Sequence, residues 1–396
     1  MTSEIKSNLP LWKLVLIVAI STFGIGIVGY GVWNVISYNQ SITSKSNQTK
    51  SKNIEGLFPI EQDNKYGYID KTGKIVINPQ FDNFREFSEG LAAVKIGKKW
   101  GYIDKIGKIA INPQFEEAGS KFSQGLALVK ISDKYGYIDK TGKIAINPQF
   151  DYESSDFFEE LALVKINHKY GYIDKTGKIA INPVFDYASN KFSEELALVR
   201  IGDKFGYIDK TGKIVINPQF DGASTEFFEG LALVKIGNKR GYIDITGNIV
   251  INPQFDEASS EFSEGLSAVR IGDKYGYIDK TGKIVINPQF DGSSIGFSEG
   301  LSSVKIGDKW GYIDKTGKVV INPQFDDAKE LSEGLARVKI GRKYGYIDKT
   351  GKIIINPQFD DARELSEGLA LVKIGEKYGY INKTGKYIWN PARIFH

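Results

Sequence analysis

"KYGYIDKTGKIVINPQFD" spans Lys65 to Asp82, and the same eighteen residues return, letter for letter, from Lys274 to Asp291. A catalytic site is ordinarily assembled once, so a stretch written repeatedly points to a scaffold. Its marker Gly-Tyr-Ile begins at Gly67, Gly101, Gly136, Gly171, Gly206, Gly241, Gly276, Gly311, Gly345 and Gly379, at a spacing of 34 or 35 residues. Ten of the twelve prolines keep step in Asn-Pro pairs such as Asn78-Pro79. A fixed period in this range means stacked supersecondary units, each burying its apolar face on its neighbours.

Three strands are expected in each unit. The first is of the type "LALVKI" (Leu126 to Ile131), the second "KYGYID", and the third "KIVINPQF", all rich in Val, Ile, Tyr and Phe and bounded by turn residues. In the turn Asp70-Lys71-Thr72-Gly73 the Asp carboxylate can accept a backbone N–H while Gly supplies a positive φ. The copies align with one another. Positions Ala92, Val94 and Ile96 stay small or β-branched and are expected to face inward. The alternate position drifts through Ala93, Leu128, Ala268, Ser303 and Arg337 and is expected to face water. Copies differ most between the Phe81-type and Gly90-type positions, where specificity could reside. The fold class is therefore all-β: ten tandem three-stranded β units of 34–35 residues in an open, solenoid-like array. Propeller-like closure is the alternative, although typical blades have four strands and number about four to eight.

Composition narrows the function. The 52 basic and 48 acidic residues nearly cancel, and each Lys-rich turn carries its own acid, so no basic stripe suits nucleic acid. There is no cysteine, which removes disulfides, thiolate metal sites and cysteine nucleophiles. Two histidines, His168 and His396, are too few for a histidine-built metal site, and no cofactor or metal is expected.

The amino-terminal region differs from the rest. After a short tail (1–13), residues 14–36 read "LVLIVAISTFGIGIVGYGVWNVI" with no charge. As a helix this segment would span about 34 Å, enough for a hydrocarbon core of ~30 Å. Trp12 with Lys13, and Trp33 with Tyr38, suit the two interfaces. A cleaved signal peptide is the rival, but its apolar core would be about 7–15 residues long. The expectation is an uncleaved single-pass anchor with the repeats outside the cytoplasm. Gly24, Gly26 and Gly29 form a G-x-G-x-x-G pattern without the βαβ context a dinucleotide site needs; close helix contact in a membrane fits better. Residues 37–54, rich in Ser, Asn, Thr and Lys, read as a flexible linker before the repeat domain at 55–396.

The residue before each repeat glycine is a candidate contact: Tyr66, Trp100, Tyr135, Tyr170, Phe205, Arg240, Tyr275, Trp310, Tyr344 and Tyr378. As a ladder these could stack on sugar rings or grip an extended peptide. The plainer reading is packing between units, beside a glycine that lets backbones approach. Arg240 implies that at least part of this position reaches solvent. The Asp70-type acids are usually followed by Lys and read as turn caps rather than calcium ligands, which need several converging carboxylates. Pairs such as Asp82 with Glu86 or Glu89 recur in most units, as structural elements do, so glycoside hydrolysis is disfavoured and no catalytic residue is assigned. His168 stands where sibling turns carry Asp or Asn and reads as a solvated substitution.

Aromatic-Gly-Tyr-Ile-Asp, then Gly-Lys, Ile-x-Ile-Asn-Pro-Gln-Phe and Phe-Ser-Glu-Gly-Leu-Ala-x-Val together resemble the WG (KWG) repeat of mainly bacterial proteins. Literal Trp-Gly occurs only at Trp100-Gly101 and Trp310-Gly311; Arg240 breaks the pattern, and Glu160 and Glu195 replace the glycine before Leu. The resemblance implies an all-β repeat array without a common catalytic residue. The expected function is a membrane-anchored, non-enzymatic scaffold for protein–protein interaction; the alternative is carbohydrate or cell-wall binding through the aromatic ladder. The partner would be an unidentified protein or a cell-wall glycan.

Overall fold

The computed structural model describes residues 56–151 and 155–390. The expected tail (1–13), transmembrane helix (14–36) and linker (37–54) lie outside the described residues. Among those described, no helix is long and apolar enough to cross a membrane. The chain divides into two units, Met1–Asn47 and Gln48–His396, and every described strand belongs to the second.

The strands fall where β-branched and aromatic residues cluster. β1 (Leu57–Gln62), β2 (Lys65–Asp70) and β3 (Ile75–Phe81) form an antiparallel sheet in the order β1-β2-β3. After the single residue Asp82 the chain enters the next sheet through β4 (Asn83–Phe84), followed by β5 (Leu91–Ile96), β6 (Lys99–Asp104) and β7 (Ile109–Phe115), in the order β4-β5-β6-β7. The pattern continues through ten sheets, numbered 1 to 10 in chain order. Eight of them carry a further strand beside the three expected ones, two residues long except in sheet 9, where it runs over Asp327–Ser332. The exceptions are sheets 1 and 4, where that place in the sequence lies outside the described residues.

The Asn-Pro pair interrupts the third strand. Trp100 pairs with Phe115 and Tyr102 with Ile111, so the register slips at Asn112-Pro113-Gln114. That bulge lies against Gly101: a Cβ there would stand 2.6 Å from Ile111 O and 2.7 Å from Pro113 N. Proline is tolerated because the third strand is the last in the pairing order and its outer side is an edge.

Two expectations need correction. Ala93 is 2% exposed and Ala92 1%, so the first strand buries both faces instead of wetting one. Ile96, expected inside, is exposed. The reason is that each sheet lies between two others, and only the strand's end escapes. Ala93, Tyr102 and Ile111 of sheet 2 cluster with Phe122, Val129 and Ile138 of sheet 3. Ala92, Val94 and Ile103 face the other way, onto Tyr68, Ile77 and Phe81 of sheet 1.

Such clusters join every successive pair of sheets, from 1 and 2 to 9 and 10. A tenth cluster unites Leu369, Tyr380 and Trp389 of sheet 10 with Phe58, Ile60 and Ile69 of sheet 1. Ten sheets in an open row have nine joints; a tenth joint between the ends closes them into a ten-bladed propeller. The ring thus replaces the open array. Three strands per unit and ten copies both pointed to an open row; the fourth strand was not visible in the sequence, and the ring holds ten blades.

Candidate functional site

The repeated polar residues lie at the joints. In the first seven units the Gly-Tyr-Ile tyrosine packs on a loop Phe of the next sheet, as Tyr207 does on Phe227, with ring centroids 5.0 Å apart. Leu331 and Leu365 take that place beside Tyr312 and Tyr346. In most units the tyrosine hydroxyl donates to a backbone carbonyl of the next sheet, Tyr172 to Ser189 O at 2.6 Å and Tyr207 to Ser224 O at 2.7 Å, whereas Tyr277 meets the Ser302 hydroxyl at 2.8 Å. Burial pushes these phenols up, that of Tyr277 to about 12. The loop expected to hold specificity is therefore in part a wedge, with Phe122 and Phe157 buried in it.

The acids are also engaged. Asp82 accepts Lys65 Nζ at 2.5 Å and the Gly97 N–H of the next sheet at 2.6 Å, and these bonds hold its carboxyl below the usual range. Asp291 repeats the pattern with Lys274 and Gly307. Glu89 accepts the N–H groups of Gln124 and Gly125 at 2.6 and 3.0 Å and pairs with Lys140 at 3.1 Å. Asp70 caps its turn through Thr72 Oγ1 at 2.6 Å, the Thr72 N–H at 2.8 Å and the Lys74 N–H at 3.1 Å. The turn glycine reaches the neighbouring sheet: at Gly142, φ is 84° and a Cβ would stand 2.8 Å from Ile111 Cγ2. Among the described residues no group of His, Asp and Glu is placed to hold a metal.

The ten residues singled out from the sequence are distributed one per sheet, and the structure does not gather them into one site. Trp100 and Tyr135 are buried, while Tyr66, Tyr170, Phe205, Arg240, Tyr275, Trp310 and Tyr344 are half-buried. Tyr378, 43% exposed, is the one open to solvent. Each ring is hemmed by neighbours: Tyr66 by Phe84 at 4.9 Å, Trp100 by the Arg85 guanidinium at 4.8 Å, Tyr170 by Lys165 at 4.9 Å and Tyr378 by Lys373 at 5.6 Å. Arg240 donates to the carbonyl of Asp256, the residue that links its sheet to the next. His168 is exposed in a turn, with φ 65°.

Sequence reasoning missed Glu330, in the edge strand Asp327–Ser332 of sheet 9. Burial first, then Glu364 and Glu261, pushes its carboxyl up to about 7. Sibling units carry an acid (Glu86, Asp156, Glu226, Glu261, Glu364) or Lys121, Lys191 or Gly296 here, so the only signal was a mostly acidic position whose charge drifts.

Comparison with known proteins gives three findings. A search of curated proteins yields no match. Among solved structures, the chain is similar to a eukaryotic initiation factor (11% identity, 80% of this chain, 98% of that one, TM-score 0.49). It is also similar to AztD from Citrobacter koseri (12% identity, 82% and 96%, TM-score 0.34). The family model for the WG containing repeat matches nine consecutive stretches: 66–100, 100–135, 135–170, 170–205, 205–239, 241–275, 275–310, 310–344 and 344–378. With nearly the whole ring matched copy by copy, the chain belongs to the WG-repeat family.

Proposed function

We propose that this chain is a membrane-anchored, non-enzymatic ring that presents an extended surface for protein–protein contact. The observation that carries the reading is where the repeated chemistry goes. The Asp82-, Glu89- and Tyr207-type groups bridge adjacent sheets, while the exposed residues of the third strand are offered again and again around the ring. A repeat fold of this kind supplies surface area and copy number rather than one prepared cleft. The anchor is the uncharged segment 14–36, which would leave the ring on the extracytoplasmic side.

The test is photo-crosslinking in intact cells from exposed third-strand positions such as Gln254 and Gln358, followed by a glycan array with the same protein. A discrete protein adduct formed from these positions, without glycan retention, is expected. Retention on cell-wall glycan that Tyr378→Ala removes would favour the aromatic-ladder alternative, and turnover of any glycan would overturn both. Protease access to residues 37–54 in intact cells checks the orientation.

A further inference from the structure

We propose that sheet 6 is where a partner strand adds to the ring, and that this partner is an extended polypeptide segment with aliphatic side chains and one basic residue. The inference rests on the scaffold reading and assigns it a place.

Every sheet ends in an open edge, because its third strand is last in the pairing order. Proteins protect such edges from unwanted pairing with proline, bulges and lysine. Here the Asn-Pro bulge blunts the second half of each edge. The first half is flanked by two turn lysines, such as Lys71 and Lys74, or Lys280 and Lys283. Nine units keep both lysines; sheet 6 has Ile245 and Asn248 instead. The buried residues of the same unit, Tyr242, Ile243, Ile251 and Phe255, keep the repeat identity. Its packing residues are therefore unchanged and its Asn252-Pro253 bulge is kept, while the lysines that flank the first half of its edge are lost. Ile245, 44% exposed, adds an aliphatic side chain beside Ile249 and Val250, which are about as open (47% and 43%) as Ile284 and Val285 (40% and 42%) in a lysine-bearing unit.

Charge selects the partner. In five sibling joints the turn lysine pairs with a glutamate of the preceding sheet, among them Lys140 with Glu89 at 3.1 Å, Lys315 with Glu264 at 2.9 Å and Lys383 with Glu333 at 3.2 Å. The corresponding acid facing sheet 6 is Glu194, and Ile245 occupies the lysine's place. Glu194 keeps its bond from the Gly230 N–H at 2.9 Å and remains exposed. Next to it stands Glu195, where most units have glycine. A strand docking along Ile249–Asn252 would gain backbone hydrogen bonds and aliphatic contact, and a lysine or arginine on it would replace the missing turn lysine.

The test uses the full-length chain in detergent with two synthetic octapeptides alternating valine and threonine, one ending in lysine and one in glutamate. Fluorescence anisotropy should show the lysine peptide binding about tenfold or more tightly than the glutamate peptide. Amide exchange should slow at Ile249 to Asn252. The double variant Ile245→Lys with Asn248→Lys copies the sibling units, so it folds, and it should lose the binding; Glu194→Gln should remove the preference for lysine alone. Equal binding of both peptides, undiminished binding to the double variant, or protection in another sheet would overturn the assignment. So would concentration-dependent dimerisation that the double variant abolishes, since the occupant would then be a second copy. If the photo-crosslinked protein adduct forms equally with the double variant, the scaffold reading stands and the assignment to sheet 6 alone fails.

Discussion

The joint between sheets 6 and 7 and the seam between sheets 10 and 1 do the same work with different residues. At the joint, Tyr242, Ile251 and Phe255 meet Phe262, Val269 and Ile278, and the tyrosine ring packs on the loop Phe262. At the seam, Trp389 takes the register position that Ile355 holds in sheet 9, opposite the repeat tyrosine. Phe58 and Ile60 occupy the places of Ala92 and Val94. Tyr380 packs on Phe58 itself, with centroids 5.6 Å apart. Larger side chains on both sides fill the seam. An internal joint is held by chain continuity as well as contact, because one residue links adjacent sheets, whereas the two sides of the seam belong to opposite ends of the repeat. What closes a repeat array into a ring is thus a change at its terminal units.

The comparison breaks most visibly at Trp389. Trp389→Ala should cost about 3–5 kcal/mol, as large-to-alanine core changes do. The ring should open at the seam, seen as a larger radius of gyration by small-angle scattering. Phe262→Ala should cost a similar ~3–5 kcal/mol while the radius stays unchanged, because the sheets it separates remain linked. Equal radii for both variants would mean that the seam is no weaker than a joint.

A second contrast lies among the joints themselves. Glu330 has its folded-state value raised to about 7 by burial beside Glu364 and Glu261, above the ordinary glutamate value. Its contribution to stability is present below the unfolded value and is lost as pH rises through the folded one. Glu330→Gln should therefore stabilise the ring above about pH 7, by at most ~3 kcal/mol, and have little effect near pH 4. Urea unfolding at the two pH values checks both. A gain independent of pH would place its cause elsewhere.

Backbone positions sharpen the picture. Gly136→Ala would set a Cβ 2.6 Å from Ile146 O and 2.7 Å from Pro148 N, both backbone atoms. A loss of about 1–3 kcal/mol is expected, with the bulge of sheet 3 disturbed. The smallest effect is a gain. Glu195 sits at φ 69° where sibling units place glycine, so Glu195→Gly should stabilise by about 1 kcal/mol in thermal unfolding. Weaker partner capture by this variant would show that the strained glutamate serves binding.

Much of the fold was legible in the chain. Repeat period, strand order, turn chemistry and the family pattern came from alternating β-branched residues and Asp-x-x-Gly turns, all local features. The candidate site was less legible. Ten equivalent positions looked like a ladder in the sequence, but packing between sheets spreads them one to a sheet and covers most of them. The short strand escaped notice because two residues such as Asn83-Phe84 carry no periodicity, and their pairing partner lies in a segment reached only after the loop.

By itself, then, the sequence determined the unit, its copy number and the hairpins within it, because each depends on neighbours a few residues apart. It also marked the copy in which lysines give way to Ile245 and Asn248. The tertiary structure decided the rest. Both faces of every sheet are buried because each sheet has two neighbours. The recurring Asp82- and Glu89-type acids are held by the next sheet's backbone. The row closes because Trp389 and Phe58, far apart in the chain, complete a tenth core that no reading of one repeat could foresee.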